Sequence, residues 1–182
     1  MRIAFLALVA VLVGAPAFAQ RGAVSPDLSP EAAGEAFKQA VVDACVPAVT
    51  GSGVSGLSAA QRGSLRPTND AATRKQAGAA PDETVWDVMD GKGVVTVREK
   101  AGRCVVSVYG PSAGATVQIV AQALTGRAGF QRLASPASGV GQTLQAASNG
   151  RSVTVQLAGS DPGMPGHQSR FSVVTATVFV AQ

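Results

Sequence analysis

Histidine is almost absent from this chain, and its scarcity excludes a group of chemistries. His167 is the only histidine among 182 residues, so no zinc site built from several histidines can form. A Ser-His-Asp or Cys-His mechanism would have to use His167, which lies in a loop rich in proline and glycine. No G-x-S-x-G turn accompanies it. The sequence therefore favours an ordinary exposed loop residue at this position.

Aromatic residues and clusters of basic residues are also few. Phenylalanine, tryptophan and tyrosine make up 4% of the chain, and the net charge of +4 comes from scattered arginines and lysines. A surface that binds single-stranded nucleic acid combines a positively charged groove with aromatic side chains on which bases stack. The sequence has neither, so we expect no nucleic-acid partner.

Long apolar runs are limited to the start of the chain. Residues 3–13 are almost wholly apolar; they follow the basic Arg2 and precede Ala17-Phe18-Ala19. A basic start, a short apolar stretch and an A-x-A site are typical of a secretory signal peptide, which we assign to residues 1–19. No cysteine follows to accept a lipid, and no second run reaches the roughly 20 residues that a membrane span needs. We expect an exported, soluble chain in the periplasm or outside the cell, with no membrane insertion after signal removal.

Two cysteines, Cys45 and Cys104, are the whole cysteine content. In an oxidising compartment an even, minimal count indicates one disulfide. The alternative is a reactive thiol or metal-binding pair, but neither cysteine belongs to a C-x-x-C motif or neighbours a histidine. The sequence predicts a structural Cys45–Cys104 bond.

The remaining chain reads as a flexible lead at 20–28 and one domain at 29–182. Ser29 and Pro30 are typical of a helix N-terminus, and Pro47 predicts that this helix ends at Val46. The glycine- and proline-rich residues 50–83 are predicted to form a loose excursion with one or two short helices.

From residue 84 onward the pattern changes to strands. The predicted strands are 84–89, 94–98, 104–109, 130–134, 143–147, 153–158 and 171–180, and a second helix begins after Ser112 and ends at Gly126. The last strand is apolar on both faces, which predicts a central place in the sheet. We find no internal repeat. The fold class is α+β: a mostly antiparallel sheet with two amphipathic helices on one face and one disulfide.

Carboxylates are densest around the only tryptophan, Trp86. They are Asp82, Glu83, Asp87 and Asp90. Such a cluster could be a Ca²⁺ site or the acids of a glycan-cleaving cleft, although the spacing matches no EF-hand loop. The alternative is a solvated edge with Trp86 turned into the core. Asp87 and Asp90 are the catalytic candidates and Trp86 the binding candidate; we predict no metal and no cofactor.

Two glycine-rich turns complete the candidate sites. Residues 51–56 have a superficial G-x-G pattern but no preceding strand and no lysine, so a phosphate-binding loop is not predicted. Residues 110–114 connect a strand to a helix N-terminus, which could bind an anion or could be a simple capped turn.

Two segments carry a resemblance: Ala44-Cys45-Val46-Pro47 at the end of the first helix, and Gly102-Arg103-Cys104-Val105-Val106 after the tryptophan segment. With the signal peptide, they resemble small uncharacterised exported proteins of alphaproteobacteria. The resemblance implies a Gram-negative periplasm and transfers no activity and no site residues.

Two functions remain open. The first is a non-enzymatic module that binds an envelope protein or a cell-wall component through its sheet face or loops. The alternative is a hydrolase that acts on cell-wall glycans or peptides through the carboxylates around Trp86.

Overall fold

A computed structural model of the chain describes residues 29–88, 94–127, 129–133, 140–148 and 150–181. The assigned signal peptide at 1–19 and the lead at 20–28 lie outside these residues, and so does the candidate Asp90. The helical and strand segments named below all belong to the described part of the chain.

The first helical segment begins where the sequence predicts and continues further than predicted. The α1 helix spans Pro30–Gln39, and the Ser29 hydroxyl accepts the Ala32 N–H at its N-terminus. A π-helical turn, Ala40–Cys45, then leads into α2, Val46–Thr50. The prediction of an end at Val46 is therefore wrong. Pro47 has no N–H and would clash with a carbonyl in a regular helix; the wider π turn lets the helix continue through it.

Residues 50–83 contain more regular structure than a loose excursion suggests. A 3₁₀ turn at Val54–Gly56 and the short helix α3, Ala59–Arg62, come first. Strand β1, Leu65–Pro67, pairs with the next strand, and α4, Ala71–Gln76, is capped by Asp70. The sequence predicted neither β1 nor the cap at Asp70.

The described strands form one eight-stranded sheet in which all neighbours are antiparallel. Its other strands are β2 Thr84–Val88, β3 Val95–Lys100, β4 Arg103–Tyr109, β5 Gln131–Arg132, β6 Val140–Ser148, β7 Arg151–Ser160 and β8 Val173–Ala181. Helix α5, Ala113–Thr125, separates β4 from β5. The α+β class and the predominantly antiparallel sheet are confirmed.

The strand order, β1-β2-β3-β4-β8-β7-β6-β5, shows a repeat of topology that the sequence does not reveal. Each half has a helical segment and then four strands that pair in sequence order, with α4 inserted between β1 and β2 in the first half. The last strands of the two halves, β4 and β8, pair at the centre of the sheet. The predicted central place of the final strand is confirmed.

The main apolar core lies between the helical segments and one face of the sheet. Phe37 and Val41 from the first helical segment and Val120 and Leu124 from α5 are fully buried in one cluster with the inward-facing strand valines. The predicted disulfide between Cys45 and Cys104 is present, and both cysteines are fully buried. It connects the end of the π turn to β4. None of the helices in the described residues is long and apolar enough to cross a membrane.

Candidate functional site

The structure does not bring the tryptophan and the nearest candidate acid into one cleft. Trp86 and Asp87 are consecutive in β2, so their side chains lie on opposite faces of the sheet. Trp86 is buried on the helix side, whereas Asp87 is buried on the other side beside Thr96 of β3. The interpretation of Trp86 as a core residue agrees with this placement.

The other described acids of the cluster are engaged in local ion pairs. Asp82 is exposed and lies 2.5 Å from the Lys100 ammonium group. The hydrogen bond from Lys100 lowers the pKa of Asp82. Glu83 pairs with Arg98 at 3.4 Å. These two acids line a surface cleft together with Thr84 and Val85, and Trp86 is not part of it.

Glu99 is the acid that sequence reasoning missed. One of its carboxylate oxygens accepts the backbone N–H of Val54 at 2.7 Å, and the other accepts the indole N–H of Trp86 at 3.3 Å. Gly53, at φ +81°, passes so close to Glu99 that a Cβ there would lie 2.2 Å from the carboxylate. Glu99 therefore ties the loop after α2 to β2 and β3, and no local sequence pattern signals that contact.

His167 is held at both ring nitrogens within its loop. Its Nε2 lies 3.0 Å from the Phe171 carbonyl oxygen, which can only accept, so Nε2 carries the proton in the neutral ring. Nδ1 then accepts from the Ser160 hydroxyl at 2.8 Å. A serine nucleophile and its histidine base make a similar contact, and a third group then orients the base. The neighbouring Asp161 does not orient His167, because its carboxylate bonds to Ala113 and Ser172. These two hydrogen bonds of the imidazole connect His167 to both ends of the loop between β7 and β8.

The N-terminus of α5 is occupied by a carboxylate of the chain itself. The backbone N–H of Ala113 donates to Asp161 at 2.9 Å, and the Ser172 hydroxyl donates to the same oxygen at 2.5 Å. These hydrogen bonds lower the pKa of Asp161. The side chain of Ser112, the predicted cap, makes no capping bond. The turn at residues 110–114 is thus capped by Asp161 of the chain itself.

One sheet surface is left uncovered by the helices: the side of β6, β7 and β8 that faces away from them, which we call the open face. Its side chains lie in rows across the strands. In one row Thr143 pairs with Gln156, which pairs with Thr177. The Gln156 side chain is exposed, and both threonines are half-buried. These groups therefore reach solvent on one sheet surface.

A second row lies beside the first. Gln145 pairs with Thr154, which is buried, and Thr154 pairs with Phe179 of β8. The Gln145 amide is held by a 2.7 Å hydrogen bond to the Ser152 hydroxyl on the same face. Half-buried Phe179 supplies the aromatic surface of the open face.

The corresponding face of the first half of the chain is covered. Thr73 and Ala77, in and after α4, are buried. Arg98 of β3 donates to the Gly78 carbonyl at 2.8 Å, and the Tyr109 hydroxyl of β4 contacts the Gln76 carbonyl at 3.4 Å. The segment around α4 therefore lies over the β3 and β4 side, and the solvent-accessible polar rows belong to β6, β7 and β8.

The described residues of the open face carry no charge. Its members within the described strands are Gly141, Thr143, Gln145, Ala147, Ser152, Thr154, Gln156, Ala158, Ser160, Val173, Thr175, Thr177, Phe179 and Ala181. Solvent-exposed protein surfaces usually carry about a quarter to a third charged residues. Hydroxyl and amide groups can both donate and accept hydrogen bonds. The face is chemically suited to a neutral, hydroxyl-rich ligand.

Comparison with known proteins adds no relationship to this geometry: no family model, no curated protein and no solved structure matches the chain. Within the described residues, no group of three or more histidine, cysteine or acidic side chains is placed to hold a metal ion.

Proposed function

We propose that this chain is an exported, non-enzymatic binding module that holds a polysaccharide of the cell envelope on its open face. The observation that carries the proposal is the uncharged, solvent-accessible array of threonine and glutamine side chains on β6, β7 and β8. The buried disulfide fits an exported protein, because such bonds persist in oxidising compartments. The signal peptide expected at residues 1–19 also supports export.

A polysaccharide fits the open face better than a protein partner does. The centres of protein interfaces are enriched in large aromatic side chains, methionine and arginine, and among the described open-face residues Phe179 is the only aromatic. Neighbouring strands lie about 4.8 Å apart, so equivalent side chains recur at roughly the length of one sugar unit. A chain of sugars running across the strands would meet a new hydroxyl or amide at each step.

The test is sedimentation of the protein, purified after export, with insoluble polysaccharides: peptidoglycan sacculi and chitin. The variant Gln156→Ala with Thr177→Ala removes two neighbouring polar groups of one row. Each neutral hydrogen bond contributes about 1 kcal/mol, so binding should weaken about ten-fold or more. The matched control is Gln118→Ala with Gln122→Ala, which changes two exposed glutamines of α5.

The control variant should bind like the parent protein, and circular dichroism should show that both variants melt like the parent. Retention of neither polysaccharide would contradict the proposal. So would unchanged binding by the open-face variant.

A further inference from the structure

A cleft of about 480 Å³ opens at one end of the sheet. It lies where the hairpin between β3 and β4, the loop after α2 and the first residue of β7 meet. Its charged lining consists of Asp82, Glu99, Lys100, Arg103 and Arg151. The distribution of contacts among these five side chains decides what the cleft can bind.

Three of the five charges already have partners inside the chain. Asp82 and Lys100 form an ion pair at 2.5 Å. Glu99 turns its two oxygens to the N–H groups of Val54 and Trp86. Both acids of the cleft are therefore engaged, and neither neutralises an arginine.

Arg103 and Arg151 are exposed, and neither forms an ion pair or hydrogen bond with any described residue. Their planar guanidinium groups present paired N–H donors that match a carboxylate. Strand β8 lies between β4 and β7, and Thr154, the β7 residue aligned with Arg103, is three residues beyond Arg151. The two arginine backbones are therefore about two strand spacings apart across the sheet and three residues apart along it, roughly 14 Å in all. Two separated guanidinium groups suit a polymer that carries repeated carboxylates.

Arg103 lies on the same side of the sheet as the open face, whereas Arg151 precedes Ser152 of the open face and so lies on the opposite side. Both arginines line the cleft at this end of the sheet. Arg103 is the direct neighbour of Phe179 in the pairing of β4 with β8, and Phe179 is the neighbour of Thr154 in β7. A sugar chain that lies across Phe179 would bring its next substituent to Arg103, and a chain that continues over the end of the sheet would reach Arg151 in the cleft.

We infer that the polysaccharide is acidic and that Arg103 and Arg151 bind its carboxylates, an inference that rests on the proposed function of the open face. The peptide-free glycan strand of peptidoglycan has this chemistry, because every second sugar then carries a free lactyl carboxylate. Chitin has the same N-acetylglucosamine linkage without that carboxylate. The two polymers differ in the group that the arginines would recognise.

The experiment measures binding of the exported protein to peptide-free peptidoglycan glycan strands and to chitin oligosaccharides, in low and in high salt. The parent protein should prefer the acidic strand by about ten-fold or more, as one charge-assisted contact of at least 1.4 kcal/mol provides. Salt should reduce the preference. In the variant Arg103→Gln with Arg151→Gln the two polymers should bind equally, and chitin binding should stay at the parental level.

The matched control is Arg132→Gln with Arg170→Gln, which removes the same charge from exposed positions that do not line the cleft and should keep the preference. Equal binding of both polymers by the parent protein, or a preference that survives in Arg103→Gln with Arg151→Gln, overturns this inference and leaves the proposed function standing. Binding of neither polymer contradicts the proposed function itself.

Discussion

Glu99 of β3 accepts the indole N–H of Trp86 at 3.3 Å and, with its other oxygen, the backbone N–H of Val54 at 2.7 Å. One carboxylate thus satisfies two donors that come from β2 and from the loop after α2. Trp86 itself is buried. This contact explains how a tryptophan set among acids serves the core and keeps its polar atom bonded.

Glu99→Ala should lower the free energy of unfolding by about 2–4 kcal/mol, because it leaves two donors without an acceptor, each at a cost of about 1–3 kcal/mol. Glu99→Gln retains an acceptor oxygen and should cost less. Urea denaturation followed by tryptophan fluorescence measures both changes. The control is Glu35→Ala, which removes a surface pair with Lys38 and should cost less than about 1 kcal/mol. Equal losses at Glu99 and Glu35 would contradict the role assigned to Glu99.

Asp161 should stabilise the N-terminus of α5, and Ser112, the predicted cap, should not. Removing an N-terminal cap costs about 0.5–2 kcal/mol, and in this chain the carboxylate of Asp161 accepts the Ala113 N–H. Asp161→Ala should therefore lower stability by about 1 kcal/mol or more. Ser112→Ala should have little effect, because the Ser112 side chain makes no capping bond. Thermal melts of the two variants distinguish the roles, and a larger loss at Ser112 would reverse the assignment.

The Asp161 carboxylate should also make the free energy of unfolding depend on pH in the acid range. The hydrogen bonds from Ser172 and Ala113, with the positive charge of protonated His167, lower the pKa of Asp161 in the folded chain. Its contribution is therefore fully present above the unfolded value of about 4 and is lost as the pH falls through the lower folded pKa. In Asp161→Asn this part of the acid dependence should disappear. Parallel unfolding curves for parent and variant between about pH 2 and pH 6 would show that Asp161 contributes nothing.

Helices and strands that are determined by neighbouring residues in the sequence could be predicted. Ser29 and Pro30 begin α1, and the valine-rich runs form β3 and β4. The central place of β8 was also predicted, although on the open face its threonines and Phe179 are only half-buried. The pattern Thr-x-Gln on β6 and β7 and Thr-x-Thr on β8 was the available signal for that face.

Contacts between distant residues could not be predicted. The capping of Ala113 by Asp161 joins residues 48 positions apart, and the Glu99 contact to Val54 spans 45 positions. Strand β1 has only three residues, one of them proline, so it shows no alternation. The π turn before Pro47 depends on helix packing, which a rule about the residue before proline does not include.

The disulfide should hold a large part of the stability. It joins residues 59 positions apart, and closing a loop of that size is worth about 4 kcal/mol in the chain-entropy model. Thiol counting on the denatured, unreduced protein should find no free thiol. The variant Cys45→Ala with Cys104→Ala should unfold at a lower urea concentration than the oxidised parent, and a reductant should destabilise the parent alone. An effect of the reductant on the variant would show that it acts elsewhere.

Gly159 of β7 sets the distance between the sheet and α5. A Cβ at this position would lie 2.7 Å from the Ala113 Cβ and 3.4 Å from its Cα, so Gly159→Ala forces the start of the helix away from the strand. Overpacking of this kind costs about 1–3 kcal/mol.

The control is Gly114→Ala in the first turn of α5, where a Cβ meets nothing within 4 Å. The loss of glycine there should stabilise the helix by about 0.5 kcal/mol. The two substitutions should shift the melting temperature in opposite directions. Because Ala113 also carries the N–H bound by Asp161, Gly159→Ala should in addition weaken the dependence of stability on acid pH. A stabilising Gly159→Ala would mean that the helix does not rest on this strand.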